Sequence, residues 1–182
     1  MNSPCATCAA HCCVGRAVAL AAADVSRLQA TLGLSWSSFA AVISDADGFL
    51  LAADGPRYGF RLRHAGDGSC IFAVDLVTTR RCGVHAIRPL SCRVYPWHVA
   101  LPDDDDDAGV APLVALGNDA ACPPPLAAAW RARVDDERAD LAATVAESAR
   151  EADARAQWND AVARSGRRHV IEDYLAWMAR AQ

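Results

Sequence analysis

Lysine is absent from this 182-residue chain, and all 18 of its Lys or Arg side chains belong to arginine. The absence excludes a Schiff-base lysine, the lysine of a phosphate-binding P-loop and the lysine of a protein kinase. Long apolar runs are also lacking, because no stretch reaches the roughly 18 residues that a membrane-spanning helix needs. A glycine-rich nucleotide loop is missing too, since Gly66 and Gly68 are better explained by a turn.

Positive net charge is the fourth property that the chain lacks. The formal net charge is −4 and the isoelectric point is near 5.7, so the chain has no electrostatic footprint for nucleic acid. The first residues show no basic segment followed by an apolar one, so we predict no signal peptide and a cytoplasmic protein. We expect neither nucleic acid nor a membrane as partner, and a protein partner or substrate whose identity stays unknown.

Eight cysteines are present, and four of them lie within the first 13 residues. Stable disulfides are rare in the cytoplasm, where clustered cysteines more often hold a metal. Two residues separate Cys5 from Cys8, a spacing that lets both thiolates turn toward one ion, as in zinc knuckles and iron–sulfur loops. Cys12 and Cys13 are neighbours whose side chains we expect to point in different directions, so they could serve two centres. Eight thiols could complete two four-sulfur sites, or one site with spare cysteines.

A second group of motifs follows between residues 81 and 97. A cluster held by thiolates carries negative charge, and Arg88 and Arg93 are placed to donate hydrogen bonds to its sulfurs. The alternative is that both arginines brace the loop by binding its carbonyl groups. Tyr95 and Pro96 are predicted to fix the loop and to cover the site from water.

Histidines add two further candidate ligands. His11 and His85 lie near cysteines in the sequence, and each could replace a thiolate. No Ser/His/Asp arrangement and no paired-carboxylate motif is recognisable, so no catalytic residue is assigned. The sequence identifies a metal site better than it identifies a reaction.

Hydrophobic periodicity predicts an α+β fold: a small, irregular cysteine-cluster domain with short strands, a helix after the N-terminal cysteines and C-terminal helices. Helices are predicted over residues 18–32, 36–43, 123–166 and 170–178, and strands over residues 58–64, 70–74 and 110–116. Gly33 is the predicted stop of the first helix, and residues 45–48 and 65–68 are predicted turns. Residues 80–97 are predicted to be ordered loop and short turns. We assign residues 1–122 to the metal-binding domain and residues 123–182 to a helical segment packed on it.

The order of these motifs resembles that of the CxxCxxCC family, the YkgJ-type zinc- or iron-chelating proteins. The order is CxxC, CysCys, Cys-x-Phe, then Cys…ArgPro…CysArg-x-TyrPro-aromatic and a late Cys, over about residues 5–122. His11 is a departure, because it lengthens the head of the motif to CxxCxxxCC. The resemblance implies that all eight cysteines are candidate metal ligands: Cys5, Cys8, Cys12, Cys13, Cys70, Cys82, Cys92 and Cys122. The residues on the family's second signature are Arg88, Pro89, Arg93, Tyr95 and Pro96.

The resemblance implies an intracellular metalloprotein, with an iron–sulfur cluster (4Fe–4S first) favoured over zinc. Its role would be redox chemistry or a cluster-assisted modification of another molecule, as in an iron–sulfur oxidoreductase. The first alternative is a structural zinc module that presents a surface to a partner protein. The second alternative is an S-adenosylmethionine-dependent methylase, because flagellin lysine N-methylase shares the cysteine cluster.

Overall fold

The computed structural model describes residues 11–77, 79–100, 113–116 and 124–181. Its helices and small antiparallel sheets confirm the predicted α+β class. Three of the predicted site residues, Cys5, Cys8 and Cys122, lie outside these described ranges. The division of the chain at residue 122 stays a prediction.

Six helices and seven strands are found in the described ranges. The helices are α1 (Ala22–Leu32), α2 (Trp36–Phe39), α3 (Leu90–Val94), α4 (Pro124–Arg131), α5 (Val134–Ser165) and α6 (Ile171–Ala181). The strands are β1 (Ala19–Leu20), β2 (Ala40–Leu50), β3 (Arg57–Leu62), β4 (Ala73–Asp75), β5 (Arg80–Cys82), β6 (Trp97–Ala100) and β7 (Leu113–Leu116). One sheet has the order β1-β3-β2, and β4–β5 and β6–β7 form two separate antiparallel pairs. None of the described helices combines the length and the apolar character needed to cross a membrane.

The first helix ends where the sequence predicts, because Gly33 adopts a left-handed conformation with φ of 66°. The predicted second helix is wrong beyond α2. Val42 and Ile43 lie in β2 and pair with β3. Both side chains are β-branched and favour a strand, so pairing with β3 overrides the short helical pattern.

The middle of the chain follows its prediction in part. The predicted strand over 58–64 is confirmed by β3, and the turn over 65–68 is closed by a bond from Gly68 N to Ala65 O at 3.0 Å. The strand predicted over 70–74 corresponds to β4, which begins at Ala73 and pairs with β5, while the His64–Cys70 bridge joins the segments on either side of the turn. The loop predicted over 80–97 is wrong in part, because it contains β5, a 3₁₀ turn and α3.

The C-terminal prediction is largely confirmed. The predicted strand over 110–116 includes β7, and the final helix is α6. The single helix predicted over 123–166 is divided into α4 and α5, and α5 ends at Gly166, whose φ is 61°. A left-handed glycine therefore terminates two of the helices, as the glycine positions predicted.

An aromatic stack forms the centre of the hydrophobic core. Phe49 of β2 stacks on Tyr174 of α6, with ring centroids 4.0 Å apart and planes at 15°. Phe60 of β3 lies 5.2 Å from Phe49. Val25 and Leu28 of α1 are completely buried in the same cluster. The core thus joins the sheet to α1, α5 and α6.

Helix α5 covers the outer edge of β2. Trp158 Nε1 donates to Leu50 O at 2.7 Å, and Leu50 N donates to Asn159 Oδ1 at 2.8 Å. Asn159 Nδ2 donates to Gly48 O at 3.1 Å. The register between β2 and β3 shifts between Ser44 and Phe49, so the predicted turn over 45–48 is an irregularity within β2. The side chains of α5 satisfy backbone groups that the edge strand would otherwise leave unpaired.

Candidate metal centre

The five described cysteines lie on four different pieces of the chain. Cys12 and Cys13 occupy the 3₁₀ turn His11–Cys13, and Cys70 follows the turn after β3. Cys82 ends β5, and Cys92 lies in α3. All five are free thiols, of which Cys70 is buried and the others are half-buried.

Backbone hydrogen bonds hold the N-terminal cysteines beside Cys70. Cys70 N donates to Cys13 O at 2.6 Å, and Val14 forms a β-bridge with Ser69. Gly15 N donates to Gly68 O at 3.1 Å. The segment after the N-terminal cysteines therefore runs along the turn that follows β3.

The thiols of Cys12, Cys13 and Cys70 form a hydrogen-bonded chain with Cys13 in the middle. The hydrogen bond with Cys13 lowers the pKa of Cys12 to about 6 and that of Cys70 to about 7. The same two hydrogen bonds raise the pKa of Cys13 well above its usual range. The expectation that Cys12 and Cys13 point in different directions is not met, because the two thiols are close enough to share a hydrogen bond.

Cys82 and Cys92 complete the group at longer range. Burial raises the pKa of Cys92 to about 12, and negative charge on Cys12, Cys70 and Cys82 adds to this effect. Burial also raises the pKa of Cys82, with the charges of Cys70 and Cys12 acting in the same direction. The five thiols thus share one electrostatic environment, and we call them the cysteine cluster.

Two arginines supply positive charge to the cysteine cluster. Arg16 favours the thiolate forms of Cys12 and Cys92, and Arg88 favours those of Cys12 and Cys82. Arg88 was predicted from the sequence, whereas Arg16 was not. The available signal was its position three residues after Cys13, in the same segment as the clustered thiols.

Arg93 binds a carboxylate on α5. Its Nη2 donates to Glu147 Oε2 at 2.7 Å, and its buried Nε has no hydrogen-bond partner among the described residues. Arg27 of α1 also contacts Glu147, at 3.7 Å, and pairs with the buried Asp24. Donation from Arg93 to sulfur stays a prediction, since the contact that the structure records braces α3 against α5.

The other residues of the second signature shape the backbone beside the cluster. Pro89 is buried and precedes α3, and the Tyr95–Pro96 peptide bond is cis. The guanidinium of Arg16 lies 4.2 Å from the centre of the Tyr95 ring and donates to Ser91 O at 3.2 Å. Arg16 therefore connects the segment after the N-terminal cysteines to both ends of α3.

His85, one of the described histidines near this site, is bound to an arginine. Arg88 Nη1 donates to His85 Nε2 at 2.6 Å, and burial, together with the charge of Arg88, lowers the pKa of His85. The backbone of His11 lies in the 3₁₀ turn that carries Cys12, and its side chain is outside the described part of the structure. A ligand role for either histidine stays a prediction.

The cluster's donor chemistry fits a metal, although the described atoms alone do not form a finished site. No group of three or more His, Cys, Asp or Glu side chains within the described ranges is arranged to hold an ion. The thiols instead hydrogen-bond with one another, and three more cysteines lie outside those ranges. Thiolates suit zinc and iron–sulfur clusters, and the two adjacent arginines suit the negative charge that either would leave on the sulfurs.

A family model described as "Putative zinc- or iron-chelating domain", CxxCxxCC, matches residues 4–114. The chain belongs to the CxxCxxCC family. The match includes seven of the eight cysteines, and Cys122 lies beyond its end. No curated protein and no solved structure matches the chain. Membership of the family identifies the chain as a metal-chelating protein for zinc or iron, and the assignment of individual ligands stays a prediction.

Proposed function

We propose that this protein holds an iron–sulfur cluster, with four irons as the first expectation, and that its role is electron transfer or a cluster-assisted modification of another molecule. The observation that carries the proposal is the convergence of five thiols in one electrostatic environment with Arg16 and Arg88. Four thiolates complete either a structural zinc site or a four-iron cluster, so the five thiols support a thiolate-bound centre of either kind, and the metal analysis below decides between them.

The chain's own residues would bind the cluster and set its charge. Cysteines of the cysteine cluster would supply thiolates, and Cys5, Cys8 and Cys122 are the further candidates from outside the described ranges. A bound iron–sulfur cluster would supply a reversible one-electron carrier. Positive charge from Arg16 and Arg88 would stabilise the more negative, reduced state, and the buried Val84 would help to exclude water.

Anaerobic purification followed by iron, zinc and acid-labile sulfide analysis tests the proposal directly. We expect iron and sulfide in equal amounts, with loss of both in Cys12→Ser and Cys70→Ser, because a hydroxyl is a poor ligand for a soft metal. Val84→Ala is the matched control, since it loosens the packing beside Cys82 without removing a thiol. Zinc without sulfide would reject the iron–sulfur centre in favour of the structural zinc module.

The two arginines of the second signature provide a sharper test of the redox role. Replacing Arg88 with Gln removes a positive charge that acts on Cys12 and Cys82, so the reduction potential should fall. Arg93→Gln is the matched control, because Arg93 is paired with Glu147 and exerts no recorded effect on a described thiol. Equal shifts in both variants, or none in either, would contradict this assignment of roles.

A methylase role would require a site for S-adenosylmethionine. Equilibrium dialysis of the metal-loaded protein against S-adenosylmethionine tests it without knowledge of the methyl acceptor. Failure to bind at millimolar concentration would leave the redox role as the function to pursue.

A further inference from the structure

A cavity of about 670 Å³ lies on the far side of α3 from the cysteine cluster. Helix α3 separates the two, because Cys92 belongs to the cluster while Leu90, Ser91 and Val94 line the cavity. Arg16 also lines the cavity, so one side chain takes part in both places. The volume lies within the range of about 300–1,000 Å³ that is typical of small-molecule sites.

One wall of the cavity is aromatic. Phe49 and Tyr58 come from β2 and β3, Tyr174 comes from α6, and Trp97 begins β6. Phe49 and Tyr174 stack face to face, and both rings border the cavity together with Tyr58. We call this space the aromatic cavity, and its wall favours a planar apolar group over a flexible chain.

Two hydrogen-bond donors lie at this wall without a partner. Tyr174 is only 2% exposed, and its hydroxyl makes no hydrogen bond to any residue that the structure describes. Arg155 of α5 lines the same space and acts electrostatically on Tyr174 and on Glu151, but it makes no ion pair or hydrogen bond at contact distance within the described ranges. An acceptor brought by a ligand would replace solvent at the Tyr174 hydroxyl and would gain a charge-assisted hydrogen bond from Arg155.

The acidic groups around the aromatic cavity are already occupied or lie at its edge. Glu151 accepts hydrogen bonds from Ala22 N and Ala23 N with its two oxygens. Asp24 accepts from Leu90 N and pairs with Arg27 outside the cavity. Asp45 is exposed, and its carboxylate accepts from a neighbouring backbone amide. The groups that remain available for a ligand are therefore the donors Arg155 and Tyr174, so the ligand must supply hydrogen-bond acceptors.

We propose that the aromatic cavity binds a small aromatic carboxylate, whose ring packs on the Phe49–Tyr58 wall and whose carboxylate accepts from Arg155 and Tyr174. Guanidinium and carboxylate groups form strong charge-assisted hydrogen bonds, and the partly enclosed site strengthens them. This inference goes beyond the metal centre and does not depend on which metal the cysteines hold. Its ligand would lie one short helix away from that centre.

Isothermal titration of the metal-loaded full-length protein tests the proposal with three probes that share one ring system. The probes are naphthalene-2-carboxylate, the neutral naphthalene-2-carboxamide and the cationic naphthalen-2-ylmethylamine. We expect the carboxylate to bind at least about tenfold more tightly than the amide, and the amine to bind most weakly. Absence of carboxylate binding below millimolar concentration, equal binding of the amide, or tightest binding of the amine would each overturn the proposal.

Variants locate the binding. Arg155→Gln should remove the advantage of the carboxylate over the amide and leave the amide affinity unchanged, whereas Arg150→Gln, exposed on the same helix, should change neither. Ser148→Trp should abolish binding by filling the cavity, and Ala146→Trp, an exposed residue outside the lining, should not. Carboxylate affinity that is unaffected by Arg155→Gln, or binding that survives Ser148→Trp, would overturn this placement. Metal analysis of the same samples shows whether the metal centre is intact, so a loss of ligand binding can be distinguished from a loss of metal.

Discussion

The aromatic core and the cysteine cluster are stabilised in different ways. On one side, the aromatic core joins β2, β3, α1, α5 and α6 through stacked rings and completely buried aliphatic side chains. On the other side, the cysteine cluster is gathered from a 3₁₀ turn, a two-stranded pair and one short helix. The first has its own apolar interior, whereas four of the five described thiols in the second are only half-buried. We therefore expect the core to form from the chain alone and the cluster to depend on a bound metal.

The two regions meet at Cys70, which belongs to the buried core as well as to the cysteine cluster, and at helix α3. Leu90 N at its start donates to Asp24 of α1 at 3.0 Å, and Arg93 near its end pairs with Glu147 of α5. Cys92 lies between these two anchors and belongs to the cysteine cluster. The core therefore positions one part of the metal centre in advance, while the cysteines of the 3₁₀ turn reach it through backbone bonds to residues 68–70.

The largest effect is expected from truncating the aromatic core. Phe49→Ala removes a ring that is 1% exposed and contacts Tyr174, Phe60 and Tyr58, so the free energy of unfolding should fall by about 3–5 kcal/mol. Urea denaturation followed by circular dichroism measures it. Leu76→Ala, a 53% exposed residue beyond β4, is the control, and should stay within about 0.5 kcal/mol of wild type. Similar losses of unfolding free energy in both variants would mean that the aromatic core is not the main source of stability, and would contradict the contrast between the core and the cysteine cluster.

Metal removal should destabilise the cysteine cluster more than the aromatic core. Chelation under anaerobic conditions should increase hydrogen exchange in α3 and β5 by about tenfold or more, because the thiols lose the ligand that holds their segments together. Amides of β3, whose side chains pack in the aromatic core, should keep their protection to within about threefold. Exchange monitored by mass spectrometry reports both regions in one sample. Equal loss of protection in β3 would mean that the core also depends on the metal.

Much of the aromatic core region is predictable from sequence, because its signals are local. Gly33 and Gly166 end helices through their own backbone preference, and the alternating side chains of β3 show its two faces. The start of β2 is the exception. Val42 and Ile43 follow a helical pattern for a few residues, and only the distant β3 decides that they form a strand.

The candidate site is predictable in its residue types and less so in its contacts. Spacing predicts the cysteines as candidate metal ligands, and the second signature contains both Arg88, whose charge acts on two of the thiols, and Arg93. Their separate roles depend on Glu147, which is 54 residues from Arg93 and carries no motif. Arg16 reaches Ser91 across 75 residues for the same reason. Contacts of this kind are set by packing of α5 and α3 on the sheet, and no local pattern encodes them.

The smallest effect tests the link between the two regions at Asp24. Its buried carboxylate accepts from Ala21 N and Leu90 N and pairs with Arg27, so Asp24→Asn should lower the free energy of unfolding by about 1–2 kcal/mol at acidic pH. Burial raises the pKa of Asp24, against the opposing effects of these partners. The folded state therefore holds the proton more tightly than the unfolded chain, whose pKa is about 3.9.

The sign of the pH dependence follows from this difference. As pH rises above about 3.9, the unfolded chain loses the proton first, so the contribution of Asp24 to wild-type stability declines until the folded carboxyl has ionised as well. The asparagine side chain does not titrate, so the deficit of Asp24→Asn should narrow from acidic to neutral pH. Urea denaturation across that range measures the deficit, and Asp153→Asn, exposed on α5, should show no such trend. A deficit that widens with pH would mean that Arg27 and the two amides outweigh burial, and that the charged carboxylate itself holds α1 to α3.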